Sequence, residues 1–146
     1  MSVDLPTDNA ATWSLLHAGY VSPGVAGTVV LVVEGDMVAV VDPGMVADRS
    51  RILDPLGAAG YAAGDVTDVV LSHHHPDHTL NAALFASASV HDFQAVYRND
   101  EWTRRPADGV LLSPSVRLLH VPGHTPQDIA TVIATADGVA VCTHAW

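Results

Sequence analysis

The chain of 146 residues is 49% hydrophobic and carries sixteen acidic against six basic side chains, a formal net charge of -10. That apolar share is enough for the core of one domain spanning residues 1–146 and argues against disorder, while the charge repels phosphate backbones at long range and disfavours nucleic acid as a partner. The single cysteine, Cys142, excludes an intrachain disulfide; the start, MSVDLPTDNAATW, has neither a basic nor an apolar leader segment, and no apolar run reaches membrane-spanning length, so the chain is expected in the cytoplasm with no membrane attachment.

In chain order, GTVVLVV and MVAVVD read as β-branched strands joined by a tight turn at Glu34, Gly35 and Asp36, a hairpin. PGMVADRSRILDPLGAAG breaks the strand and carries a short amphipathic helix ending near Gly57 or Gly60. After a polar turn at Gly64 and Asp65, VTDVVLS is an apolar strand that runs into LSHHHPDHTL. HTLNAALFA reads as a helix, SVHDF as a strand, and Gln94 to Ser113 as a long polar excursion. Arg98, Arg104 and Arg105 fall in that excursion and read as solvated loop charges. SVRLLHV, DIATVIAT and VAVCTH are three further strands, the last two joined by a turn at Ala136, Asp137 and Gly138. The order predicts an α/β fold with a sheet core and helices on its outer faces.

Between His73 and His78 stand four histidines and an aspartate. His73 and His75 are two apart at a strand end, so an extended backbone aims both to one side and His74 to the other. Pro76 keeps His75 extended. Asp77 and His78 follow where the next helix begins, a place suited to a carboxylate. A proton-transfer site needs one imidazole rather than three, and the run is internal and interrupted, unlike an affinity tag. The spacing therefore predicts a nest for one divalent metal ion, or two close together. HVPGHTPQD offers a further ligand, His124, on a turn stiffened by Pro122 and Pro126. His73, His75 and His124 would leave an open fourth position, as catalytic zinc sites do. His120, in the preceding strand, reads as structural. No phosphate-binding glycine loop, serine elbow or Cys-x-x-Cys pair is present.

These segments resemble the metallo-β-lactamase fold superfamily. HHHPDH matches its His-x-His-x-Asp-His signature, VPGHT is similar to its second ligand turn, and VVDPG at residues 40–44 is similar to its strand-end Asp-x-Gly motif. GDVTDVVLSHHHPDHTLNAALF and HDF look most similar to the subgroup of metallo-β-lactamase domain-containing protein 1. The resemblance implies an αββα sandwich with His73, His75 and His124 on a first metal and Asp77 and His78 on a second. Where the family usually places a bridging aspartate, this chain has Thr143 and His144, so His144 becomes a candidate ligand, with Cys142 a soft alternative. The family fold continues further, so the sandwich is expected to lack its C-terminal part, to expose apolar surface and to form a homo-oligomer.

The implied activity is that of a zinc-dependent hydrolase, with one or two ions per chain and iron or manganese as alternatives. A metal-activated hydroxide would attack a small ester, thioester, lactone or amide. Asp77 would orient the nucleophile and shuttle its proton. Asp42 is expected to fix the tautomer of a ligand histidine. A phosphodiesterase or ribonuclease of the same fold, or an inactive metal-binding fragment, are the alternatives.

Overall fold

The computed structural model describes residues 10–144. Most of the stretch read for a leader, residues 1–9, and the last two residues, with Trp146, lie outside the described residues. Strand β1 (Thr12–His17) has no counterpart among the predicted elements. The predicted hairpin is β2 (Val29–Glu34) and β3 (Met37–Val41). They pair antiparallel from Val30↔Val41 to Glu34↔Met37, and Gly35 takes the left-handed φ of 57° that so short a turn demands. Helix α1 (Ser50–Ala58) crosses back to β4 (Asp68–Val70), which lies parallel to β3, and α2 (Pro76–Thr79) then leads into a 3-10 segment, Leu80–Leu84. The predicted HTLNAALFA helix is thus one α-turn followed by a tighter one.

Strand β5 (Ser89–His91) runs parallel to β4. The expected polar excursion is a hairpin of β6 (Ala95–Arg98) and β7 (Glu101–Arg104), followed by β8 (Leu111–Ser113). Every residue of β7 is exposed, so no buried alternation marks it as a strand; Asn99, with a φ of 54°, makes the turn. Strands β9 (Val116–His120), β10 (Ile129–Thr135) and β11 (Gly138–Cys142) follow as antiparallel neighbours.

Two sheets result, one in the order β1 to β7 and one in the order β11-β10-β9-β8. The central strands β2 and β3 are apolar at nearly every position because both faces of their sheet are covered. Val29, Leu31, Val38, Val40 and Val69 pack under Ile52, Leu56 and Phe85 on the helical side. Val32, Ala39, Val41 and Val70 meet Val116, Leu118, Ile129 and Ile133 of the second sheet. This gives three of the four layers of an αββα sandwich among the described residues. Glu34 ties the sheets together by accepting from Ser115 N, at 2.9 Å, and from the hydroxyls of Ser113 and Ser115. No helix of the described residues is long and apolar enough to cross a membrane.

Candidate metal centre

The histidine cluster begins two residues beyond β4 and remains extended through His75 (φ -65°, ψ 137°), where Pro76 opens α2. Proline suits that first helical position because its missing N–H would be unpaired there in any case. The alternation carries His73 and His75 to one side, ring centroids 4.8 Å apart, and His74 to the other, where its Nε2 lies 2.9 Å from Asp92. The ligating atoms of His73, His75 and His124 all lie within 4.8 Å of one another. Those of His73, His78 and His144 do the same. His124 Nε2 sits 3.1 Å from His75 Nδ1, close to the roughly 3.3 Å that separates two nitrogens on one tetrahedral ion with ordinary zinc–nitrogen bonds.

Protons in this region are assigned by Asp42. The residue is 8% exposed and holds a positive φ of 50° at the end of β3, a conformation tolerated at functional sites when its surroundings fix it. Its ionised carboxylate can only accept. It accepts from Ser72 N and from the Ser72 hydroxyl, each at 2.7 Å, and from His78 Nδ1 at 2.8 Å. With its proton committed to Asp42, Ser72 Oγ accepts from His73 Nδ1 at 3.0 Å. The Nε2 lone pair of His73 is thereby left open, while His78 Nε2 faces the Asp77 carboxylate at 3.2 Å. His73 Nε2 is buried without a protein hydrogen-bond partner, a costly state unless a ligand meets it. Burial, followed by the neighbouring His78, pushes the His73 imidazole down to about 4, so it stays neutral and able to ligate.

The other side chains fall in place around this pair. Burial alone would lower His78, but the hydrogen bond and charge of Asp42, with Asp77 and Asp128, raise it above its ordinary value. His144 is lowered, by burial first and then by His124 and His78; its ring stacks on His124 at 4.1 Å. Asp77 belongs to neither imidazole group, and its carboxylate lies 3.2 Å from His78 Nε2. Cys142 also lies outside both groups, its thiol pushed up to about 11 by burial and then by Asp42. His120 bonds the Pro126 carbonyl through Nε2 at 2.9 Å. Gly27 gives α2 its seat: a Cβ there would lie 2.8 Å from the Asp77 carbonyl and 3.0 Å from His78 Nδ1.

Sequence reasoning assigned no role to Ser72, Asp92 or Asp128. Asp128 is 1% exposed and accepts from Thr125 N at 2.8 Å and the Thr125 hydroxyl at 2.7 Å, fixing the turn that presents His124. These bonds outweigh burial and hold its carboxyl below the usual range. The signal was the polar residue beside each histidine motif, in LSHHH and HTPQD.

The donor set fits a zinc-like ion: clustered imidazoles, a buried lone pair with no protein partner, and a carboxylate that orients two of the rings. Since His73 has one lone pair left, it can serve only one ion at a time. Beside the second group opens a cavity of about 530 Å³, lined on its apolar side by Trp13, Leu15 and Val141 and on its polar side by Asp42, His78 and His144.

The profile of the metallo-beta-lactamase superfamily matches residues 22–92. Metallo-beta-lactamase domain-containing protein 1 of Homo sapiens is 36% identical over 108 residues, covering 69% of this chain and 40% of that protein. Hydroxyacylglutathione hydrolase of Shewanella baltica is 35% identical over 111 residues, covering 68% and 40%. The chain thus spans less than half the length of these curated relatives. A metallo-beta-lactamase-type structure from Thermotoga maritima superposes with a TM-score of 0.73 at 18% identity, covering 92% of this chain and 78% of that one, a likeness of fold.

Proposed function

This chain belongs to the metallo-beta-lactamase superfamily, and from that premise we propose that it is a zinc-dependent hydrolase of a small ester, thioester, lactone or amide. The observation that carries the proposal is the buried, unpartnered Nε2 of His73 at the meeting point of two imidazole groups. His73, His75 and His124 would hold the ion. His78, His144 and Asp77 would hold a second ion or line the first. When bound, zinc lowers the pKa of water to about 7 from about 15.7.

The protein's own residues supply the rest. Asp42, through Ser72, would keep the Nε2 of His73 unprotonated, and it orients His78 through Nδ1. Asp77, one-quarter exposed beside His78, would take a proton from the attacking water and return it to the leaving group. The cavity is of the size that holds a small molecule, and its apolar wall suits the non-reacting part of such a substrate. The acidic chain and the hydrolase of thioester type among its relatives support this choice over a phosphodiester. Cytoplasmic location and self-association through the exposed Trp13, Leu15, Val139 and Val141 belong to the same proposal.

The test is to load the purified chain with zinc, iron or manganese and assay a p-nitrophenyl ester, a thioester, a lactone and bis(p-nitrophenyl) phosphate. Metal-dependent turnover of any of the first three, lost on Asp77→Asn, supports the proposal. Turnover confined to the phosphodiester overturns it. Tight metal retention with no turnover supports a second reading, metal binding without catalysis, which is favoured by the imidazole of His144 where the family usually has a carboxylate.

A further inference from the structure

The side chain between His73 and His75 has a partner of its own. His74 points away from the metal groups, and its Nε2 donates to Asp92 Oδ2 at 2.9 Å. Asp92 is 1% exposed and sits at the turn between β5 and β6. Its Oδ1 accepts from Gln94 N at 2.9 Å and Ala95 N at 2.8 Å; its Oδ2 also accepts from the Tyr97 hydroxyl at 2.7 Å. A carboxylate bound by four donors is a fixed post rather than a mobile surface charge.

The segment 71–75 is otherwise held only near its start. Leu71 N bonds the His91 carbonyl at 2.9 Å, Ile129 N bonds the Ser72 carbonyl at 2.9 Å, and Asp42 holds Ser72. Beyond Ser72 the peptides of His73 and His74 make no backbone hydrogen bond among the described residues, and His75 is next fixed through α2, where His78 N bonds its carbonyl at 3.0 Å. Within that gap His73 is bonded only to its neighbour Ser72, and the His74–Asp92 bond is the side-chain restraint that reaches another strand end. Because side chains alternate along extended backbone, fixing His74 on one side sets the direction of His73 and His75 on the other.

We propose that Asp92, acting through His74, is a positioning residue that holds the His73–His75 loop in its metal-ready shape. The inference rests on the metal reading above and deepens it. Neither residue touches the ion, so the effect is on preorganisation: without the bond, binding must also order the loop. Partners of this kind are worth about 10- to 100-fold in metal affinity where they act on a ligand directly, and the same scale is expected here.

The experiment compares the full-length wild-type chain with His74→Ala, Asp92→Asn, the double variant and Tyr97→Phe. Zinc affinity is measured by chelator competition, the cobalt(II) visible spectrum reports ligand geometry, and urea unfolding reports the metal-free fold. His74→Ala is expected to weaken zinc at least 10-fold and broaden the cobalt bands while leaving the metal-free midpoint near wild type, because His74 is half exposed. Asp92→Asn should weaken zinc at least as much, and adding His74→Ala to it should cost nothing further, as coupled residues require. Tyr97→Phe, which keeps the His74 bond, should stay within about 3-fold of wild type by the same reasoning. If Asp92→Asn does not fold, His74→Ala with His74→Gln, which restores a side-chain N–H donor, decides the matter: partial rescue by Gln supports the proposal. Wild-type zinc affinity in His74→Ala overturns it while leaving the metal reading intact. Absence of zinc binding in the wild type overturns both.

Discussion

The two imidazole groups share His73 and differ in how they are held. His78, on the inner side, is half-buried and bonded to Asp42, and the shared His73 is tied to the same carboxylate through Ser72. His75 and His124, on the rim, are exposed and bonded through their rings to one another. The difference teaches where preorganisation lies. On the inner side the protein buries His73 and fixes its proton, and it orients His78 through Asp42, whereas the rim pair is positioned by its backbone, by Asp128 at the His124 turn and by His74. A partly satisfied buried network is costly, and the orphaned His73 Nε2 is the member of this one that a ligand would have to meet. The rim pair can shift without unpairing a buried group.

The largest effect should come from the residue common to both groups. His73→Ala is expected to abolish zinc retention through gel filtration, read as metal per chain by elemental mass spectrometry, whereas His75→Ala and His144→Ala should each spare the group they do not belong to. If His73→Ala retained as much zinc as wild type, the shared-ligand arrangement would be wrong. Next in size is Asp42→Asn. An amide cannot accept every proton the carboxylate does, so the Ser72 and His78 assignments are lost and zinc affinity should fall about 10- to 100-fold. Equal losses for Asp42→Asn and for a rim change such as Asp128→Asn would erase the contrast between inner and rim sides.

The smallest effect concerns a carboxylate–histidine pair of the same kind outside both groups. Asp68 accepts from His91 Nε2 at 2.7 Å, and hydrogen bonds from His91 and Thr67 overcome burial to hold its carboxyl below the usual range. A carboxylate lowered on folding adds stability above its unfolded pKa and loses it as pH falls through the folded value. Asp68→Asn should therefore lower the urea midpoint by the equivalent of about 1–2 kcal/mol at pH 7. The gap to wild type should narrow toward pH 3, with zinc affinity at pH 7 unchanged. A gap that widened in acid, or a loss of zinc, would show that this pair is not the structural counterpart it resembles.

Much of this was legible in the chain. The Val29–Glu34 and Met37–Val41 hairpin, the short helix at Ser50–Ala58 and the three strands from Val116 announced themselves through buried apolar runs and turn residues. The β6–β7 hairpin was hidden because every residue of β7 faces water, and β1 because its first four residues are exposed and of mixed polarity. Within the site, the period-two spacing of His73 and His75 conveyed direction, so their convergence with His124 could be read. Pairings across long separations could not: Ser72 with Asp42 joins residues 30 apart, and His74 with Asp92 joins residues 18 apart. The parallel pairing of β3, β4 and β5, which local sequence does not specify, brings the ends of these strands together and with them Asp42, Ser72 and Asp92.

The open cavity has a spectroscopic consequence. Trp13 stands on its wall with 53% of its surface in water, on the edge strand of the seven-stranded sheet, while Trp102 is 66% exposed on the opposite edge. Anything that fills the cavity, whether the apolar part of a substrate or a second copy of the chain, strips water from the Trp13 indole and leaves Trp102 as it was. A chain with Trp102→Phe and Trp146→Phe would thus carry Trp13 as its one fluorescent gauge, whose emission moves to shorter wavelength as the cavity closes and whose dependence on protein concentration separates self-association from ligand.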